Sequence, residues 1–179
     1  MKTVGIYSGV FDPIHDGHIA FAEKALQLGK VDEVYFLLEA APRRKRNVTP
    51  VQHRQAMLEL ALADKPKLDT LVLEQAQFSV VDTLPWLQSH FPDTQLCLLM
   101  GSDLFAFVET WPNYPLLRDA VSFGVAIREG GRVDRQKVST NDWVIDSPLP
   151  AVSSSQIRSE TSKQTPAGVL RYINTNKLY

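Results

Sequence analysis

Gly9-Val10-Phe11-Asp12-Pro13-Ile14-His15-Asp16-Gly17-His18 places two histidines three residues apart in a glycine-bearing turn. The residues before it, 3–7, form a short apolar run that reads as a buried strand. Ile19, Ala22, Ala25 and Leu26 after it form the apolar face of a helix. A turn from strand to helix presents backbone N–H groups to an anion, and imidazoles add donors to the same anion. Gly9 lets the chain bend, Pro13 stiffens the turn, Gly17 leaves room beside the backbone, and Asp16 reads as the helix cap. His18 falls in the first helical turn, where the helix dipole favours negative charge. The ligand class that fits is phosphate. Two ordinary loop histidines are the plain alternative. A zinc pair is a weaker one, because only His53, His90 and Cys97 remain as further nitrogen or sulfur ligands. No metal site is expected on the protein itself.

Outward from this turn, short apolar runs alternate with helical patterns. Strands are expected at 34–38, 68–73, 96–100, 121–127 and 143–145. Helices are expected from Thr49-Pro50-Val51-Gln52, from Ser79 to about His90 with a kink at Pro85, at 104–108, from Ser153 or Ser154, and from Thr165-Pro166. Thr49 reads as a cap, with proline at the first helical position and Gln52 completing a capping box. Segment 129–141 is polar and reads as a mobile surface loop. The alternation predicts an α/β, Rossmann-like fold: a mostly parallel sheet, helices on both faces, and a C-terminal helical segment. Such sheets bind ligands beyond the carboxyl ends of their strands, where the strand order switches. The opening turn and Gly101-Ser102-Asp103 both belong at that edge.

Composition sets the outer limits. A chain of 179 residues suits a single domain, 1–179, with a sizeable core. The net charge of −1 creates no field that would favour nucleic acid or an anionic membrane. Cys97 is the single cysteine, sits in an apolar run, and fits a reducing cytoplasm. The N-terminal residues run straight into a strand without a leader pattern, and no apolar run approaches the roughly 20 residues of a membrane span. Oligomerisation is not readable from the chain.

A second constellation is Ser153-Ser154-Ser155-Gln156-Ile157-Arg158. Serines at a helix start combine hydroxyls with backbone N–H groups, and an arginine one turn on can fork onto phosphate oxygens. A plain serine cap with a solvated arginine is the competing reading. No Gly-x-Ser-x-Gly elbow is present to support a serine hydrolase.

Together the two constellations resemble the paired signatures of the HxGH nucleotidyltransferase superfamily. Within it the chain is similar to the bacterial nicotinate (nicotinamide) mononucleotide adenylyltransferases. The softer matches are His53-Arg54-Gln55-Ala56-Met57-Leu58-Glu59-Leu60-Ala61, Asp82-Thr83-Leu84, Met100-Gly101-Ser102-Asp103, Thr110-Trp111 followed by Leu116-Leu117, and the ending Tyr172-Ile173-Asn174-Thr175-Asn176-Lys177-Leu178-Tyr179. The resemblance implies adenylyl transfer from ATP to a mononucleotide, without a protein nucleophile and with Mg²⁺ arriving on the ATP. It implies His15, His18 and Arg158 as the catalytic groups. ATP would be held by Ser8, Gly9, Val10, Phe11, His15, His18, Gly101, Asp103, Ser154, Ser155 and Arg158. A pyridine mononucleotide or similar acceptor would be held by Arg43, Arg44, Val80, Thr83, Asp103 and Trp111. Asp103 would accept a ribose hydroxyl, or else simply start a helix. Trp111 would stack on the pyridine ring, or else pack in the core.

Two departures bear on the acceptor. Ala41-Pro42-Arg43-Arg44 stands where the family commonly has Pro-Pro-His followed by a basic residue. Phe78-Ser79-Val80 stands where it has Ser-Tyr-Thr, so a hydroxyl near the ring's substituent is missing. Val10 replaces a usual threonine. A pantetheine-phosphate adenylyltransferase-like enzyme and a nucleotide-binding module without turnover are the alternative functions.

Overall fold

In the computed structural model of the chain, the described residues are 1–41, 47–73, 75, 77–127, 131–146 and 149–179. Six strands form one sheet: β1 (Lys2–Gly9), β2 (Glu33–Leu38), β3 (Leu68–Val72), β4 (Thr94–Gly101), β5 (Val121–Ala126) and β6 (Trp143–Ile145). Their spatial order is β3-β2-β1-β4-β5-β6, and every adjacent pair is parallel. The chain leaves β1 toward β2 on one side and later crosses back to β4 on the other. The switch in strand order therefore lies between β1 and β4, whose carboxyl ends carry the Gly9 and Gly101 turns.

Both faces of the sheet are buried, so the central strands read as nearly continuous apolar runs. Tyr7, Phe36, Leu99 and Ala126 point into one core, where α1 (Asp16–Gln27), α2 (Val51–Leu62), α6 (Ser154–Arg158) and α7 (Ala167–Asn176) contribute Phe21, Met57, Ile157 and Ile173. Ile6, Leu98 and Phe123 point into the other core. There α3 (Val80–His90), α4 (Ser102–Phe105) and α5 (Tyr114–Ala120) contribute Leu87, Phe105 and Leu117. The expected three-layer α/β arrangement is what the chain adopts, with α6 and α7 as its C-terminal helical segment. Cys97 is fully buried, and no described helix is long and apolar enough to cross a membrane.

Several local expectations need correction. Asp16 is the first helical residue of α1, and the cap is His15. Thr49 does not cap α2: Pro50 holds that position without a side-chain cap, and the Thr49 N–H donates instead to Asp12 Oδ2 at 3.2 Å. A long-range carboxylate outcompetes the local capping box. Helix α5 is absent from the pattern reading because it is one short segment with proline in its first turn, started by Asn113 in the left-handed region (φ 60°). Segment 131–141 is not a free loop. It contains a 3-10 turn at Arg135–Lys137, and the buried Asp142 carboxylate accepts from Ser139 N at 2.9 Å, Phe123 N at 2.8 Å and Arg118 Nη1 at 3.0 Å. A carboxylate satisfied on so many sides ties the segment to α5 and β5.

Candidate active site

The first turn builds its own geometry from rings. His15 caps α1 from an extended conformation and is 5% exposed, and its backbone N–H donates to His18 Nδ1 at 3.3 Å. This reciprocal cap brings the two imidazoles face to face, with centroids 3.6 Å apart and planes at 19°. Phe11 meets the His18 ring edge-on at 5.1 Å, and Tyr7 does so at 5.8 Å. Phe11 has φ 47°, a left-handed backbone that costs a non-glycine residue about 1–3 kcal/mol. Its ring folds back over Gly9, where a Cβ would lie 2.9 Å from Phe11 Cζ. Any side chain at position 9 would have to displace the Phe11 ring.

The second constellation docks on the first. Ser153 caps α6 in a capping box with Gln156. The Ser154 hydroxyl donates to the Pro13 carbonyl at 2.8 Å. Arg158 Nη1 donates to the Asp12 carbonyl at 2.6 Å, and its Nη2 donates to Ser155 Oγ at 3.2 Å. Thr165 Oγ1 donates to the Ile14 carbonyl at 2.7 Å, and Asp16 N–H donates to the Gln164 carbonyl at 3.0 Å. Three successive carbonyls of the turn are therefore held by side chains from the end of the chain. Ser154 acts here as a clasp between the two segments, with its proton directed at Pro13.

A cavity of about 680 Å³ opens at the carboxyl edge of β1, β4 and β5. His15, His18, Tyr7, Gly101 and Ala126 form its floor, and 149–153 and Gln156 form its far wall. The wall is close: a Cβ on Gly17 would meet the Pro150 carbonyl at 3.0 Å. Such a volume holds a nucleotide-sized ligand. Its lining combines apolar Ala126, Ile127 and Leu149 with the imidazole pair. A flat base and a phosphate chain are the parts that match. Ser155 and Arg158 adjoin the turn and do not line this cavity.

Behind the turn lies a network that the pattern reading did not single out. Arg54 on α2 is 1% exposed. Its guanidinium donates to the carbonyls of Thr49 at 2.7 Å, Val10 at 2.8 Å, Glu39 at 2.7 Å and Ala40 at 2.7 Å. Burial pulls its pKa down, while Asp12, Tyr179 and Glu39 act in the opposite sense. The Asp12 side chain, 4% exposed as a residue, accepts from Tyr179 OH at 2.6 Å and from Thr49 N–H. A signal was present in the sequence: Arg54 occupies the same helical stripe as Met57, Leu58 and Ala61, where an arginine must find buried acceptors.

The remaining expected residues lie elsewhere. Val80 and Thr83 lie on the buried face of α3, and Thr83 Oγ1 accepts from Ser79 N–H at 2.9 Å. Trp111 is half-buried against the same core, its ring 6.1 Å from that of Phe78. This group sits on the face of the sheet opposite to His15 and His18. Asp103 is exposed in the first turn of α4, just beyond the carboxyl end of β4. Ser8 is the next-to-last residue of β1 and donates to Glu39 Oε1 at 2.9 Å. Arg43 and Arg44 lie outside the described residues.

Comparison with known proteins agrees with this arrangement. The model of the Cytidylyltransferase-like family matches residues 6–160. A protein of Thermomicrobium roseum named "Probable nicotinate-nucleotide adenylyltransferase" is 33% identical over 197 residues, covering 100% of this chain and 92% of its own. A protein of the same name from Bacillus cytotoxicus is 35% identical over 192 residues, covering 100% and 99%. The solved structure of Plasmodium falciparum nicotinic acid mononucleotide adenylyltransferase complexed with NaAD has the same fold. Its TM-score is 0.84 at 22% identity, with 100% of this chain and 98% of that one covered.

Proposed function

Because this chain belongs to the nicotinate-nucleotide adenylyltransferases of the Cytidylyltransferase-like family, we propose that it transfers the adenylyl group of ATP to nicotinate mononucleotide in NAD biosynthesis. Pyrophosphate is the second product. The observation that carries the reading is the stacked His15–His18 pair lining a nucleotide-sized cavity, with the Arg158 helix docked on the same turn.

In this reading the adenosine of ATP occupies the cavity against Gly101, Ala126 and 149–153. His18 donates to the α-phosphate and His15 lies beside it. Ser155 and the Nη2 side of Arg158 face the β- and γ-phosphates, while Nη1 stays on Asp12. Gly9, Val10 and Phe11 shape the turn that the phosphates cross. A phosphate oxygen of the mononucleotide attacks the α-phosphorus, the bond to the β-bridging oxygen breaks, and pyrophosphate departs. No protein nucleophile takes part; positioning and charge stabilisation carry the rate.

The donor set of imidazole, hydroxyl and guanidinium groups suits phosphate oxygens more than a bare cation. No group of three or more potential metal ligands occurs among the described residues. Mg²⁺ fits as part of the nucleotide, where it neutralises phosphate charge. The acceptor's ring lies on the α3 side, beside Trp111 and over the buried Val80 and Thr83, with Asp103 on a ribose. Residues 1–179 act as one catalytic domain in the cytoplasm. Purified protein with Mg-ATP and nicotinate mononucleotide should release pyrophosphate. Silence with both that acceptor and nicotinamide mononucleotide would remove the assignment.

A further inference from the structure

We propose that Arg54 and Tyr179 are positioning residues that fix the His18 imidazole by holding the two ends of the left-handed Phe11 residue from behind. The inference rests on the function proposed above for its catalytic readout, and on geometry alone for its structural one.

Phe11 is the link. Its backbone is in a conformation that a phenylalanine does not hold unaided, and its ring is the edge-on neighbour of His18 at 5.1 Å. Such a residue persists only where its surroundings determine it. Its two neighbours in sequence are each held by a distant part of the chain, Val10 through its peptide carbonyl and Asp12 through its side-chain carboxylate. On the N-terminal side, the Val10 carbonyl accepts from Arg54 Nη1 at 2.8 Å. The same guanidinium also holds the Glu39, Ala40 and Thr49 carbonyls, so its plane is fixed by four acceptors on three segments. On the C-terminal side, the Asp12 carboxylate is held by Tyr179 OH at 2.6 Å and Thr49 N–H at 3.2 Å. Thr49 bonds Asp12 through its N–H and Arg54 through its carbonyl, and so joins the two anchors.

Neither Arg54 nor Tyr179 is among the residues that line the cavity. Their action on the reaction would pass through Val10 and Asp12 to Phe11, and from the Phe11 ring to His18. Arg158 shares the Asp12 anchor, because its Nη1 grips the carbonyl of that residue. Losing the Tyr179 hydroxyl therefore loosens the peptide from which Arg158 hangs as well.

The test uses the full chain with Tyr179→Phe and Arg54→Lys. Tyr179→Phe removes one hydroxyl from a half-exposed side chain and keeps the ring packing, so it remains foldable should Arg54→Lys not be. Turnover with Mg-ATP and nicotinate mononucleotide is measured beside the imidazole NMR resonances of His18, with His90 as the distant reference. The clamp predicts a fall in kcat of about tenfold, a KM for ATP within about twofold, and a displaced His18 resonance with His90 unmoved. Unmoved His18 resonances in folded Tyr179→Phe overturn it, whether or not activity changes. A loss of rate explained fully by a smaller folded fraction overturns it too. A wild-type protein that fails to turn over would count against the proposed function. The resonance comparison would still decide the clamp.

Discussion

Arg158 Nη1 lies 2.6 Å from the carbonyl oxygen of Asp12, 146 residues earlier in the chain. The other arm of the same guanidinium lies beside Ser155 Oγ at 3.2 Å. One arginine thus bolts the opening turn to the start of α6. Lysine keeps the charge and loses the fork. Arg158→Lys should lower kcat/KM for ATP by roughly 10–100-fold. Steady-state kinetics on the folded variant, with wild type in parallel, checks this.

His18 is the imidazole nearest the reacting phosphate in the proposed complex. His18→Ala should lower kcat by about a hundredfold, equivalent to roughly 3 kcal/mol of transition-state stabilisation. ATP affinity by calorimetry should change far less. A protein that only binds nucleotide would show the reverse, an affinity effect without any rate to lose.

Gly124 should be intolerant for packing reasons alone. A Cβ there would run into the Trp143 ring and come within 2.7 Å of Leu99 Cδ2. Gly124→Ala should cost about 1–3 kcal/mol in urea unfolding. KM for ATP should hold in the protein that remains folded.

Cys97 is fully buried in β4, and burial pushes its thiol up to about 11. At neutral pH the thiolate population is negligible and the sulfur is enclosed. A thiol reagent should leave native protein unlabelled and label it only after denaturant is added, as mass spectrometry would record.

Tyr179 gives a pH signature. Burial first, and then the bond to Asp12, raise its hydroxyl above the ordinary value of 10.0. A raised folded pKa contributes stability that is fully present below the unfolded value and lost as pH climbs toward the folded one. The stability gap between wild type and Tyr179→Phe should stay level below pH 10.0 and close above it. Unfolding curves across that range decide the point.

Much of this architecture is legible in the chain. The runs at 34–38 and 96–100 are buried parallel strands because both faces are apolar, and the Gly9 and Gly101 turns follow the two strands that flank the switch. Local capping is read less well, since Asp12 takes the Thr49 N–H that a helix start would otherwise manage itself. The rear anchors are the least legible part. Tyr179 and Asp12 stand 167 residues apart, and no periodicity connects them. Arg54 alone left a trace, as a charge in an apolar stripe. The acceptor side stays faint for a different reason: Val80 offers no hydroxyl whose purpose could be read, and its burial says packing.

Strand β1 has β2 on one side and β4 on the other, and the His15–His18 pair belongs to one face of the sheet while Val80 and Trp111 belong to the opposite one. The sheet edge is then a partition with a reagent on each side. In the proposed reaction the entering oxygen comes over the edge from the α3 face while pyrophosphate is held on the α1 face. Those directions are opposed across the α-phosphorus, so the phosphorus centre must turn inside out in a single displacement. ATP made chiral by sulfur at the α-phosphorus should yield a dinucleotide inverted at that centre, the outcome of one displacement with entry and departure on opposite sides.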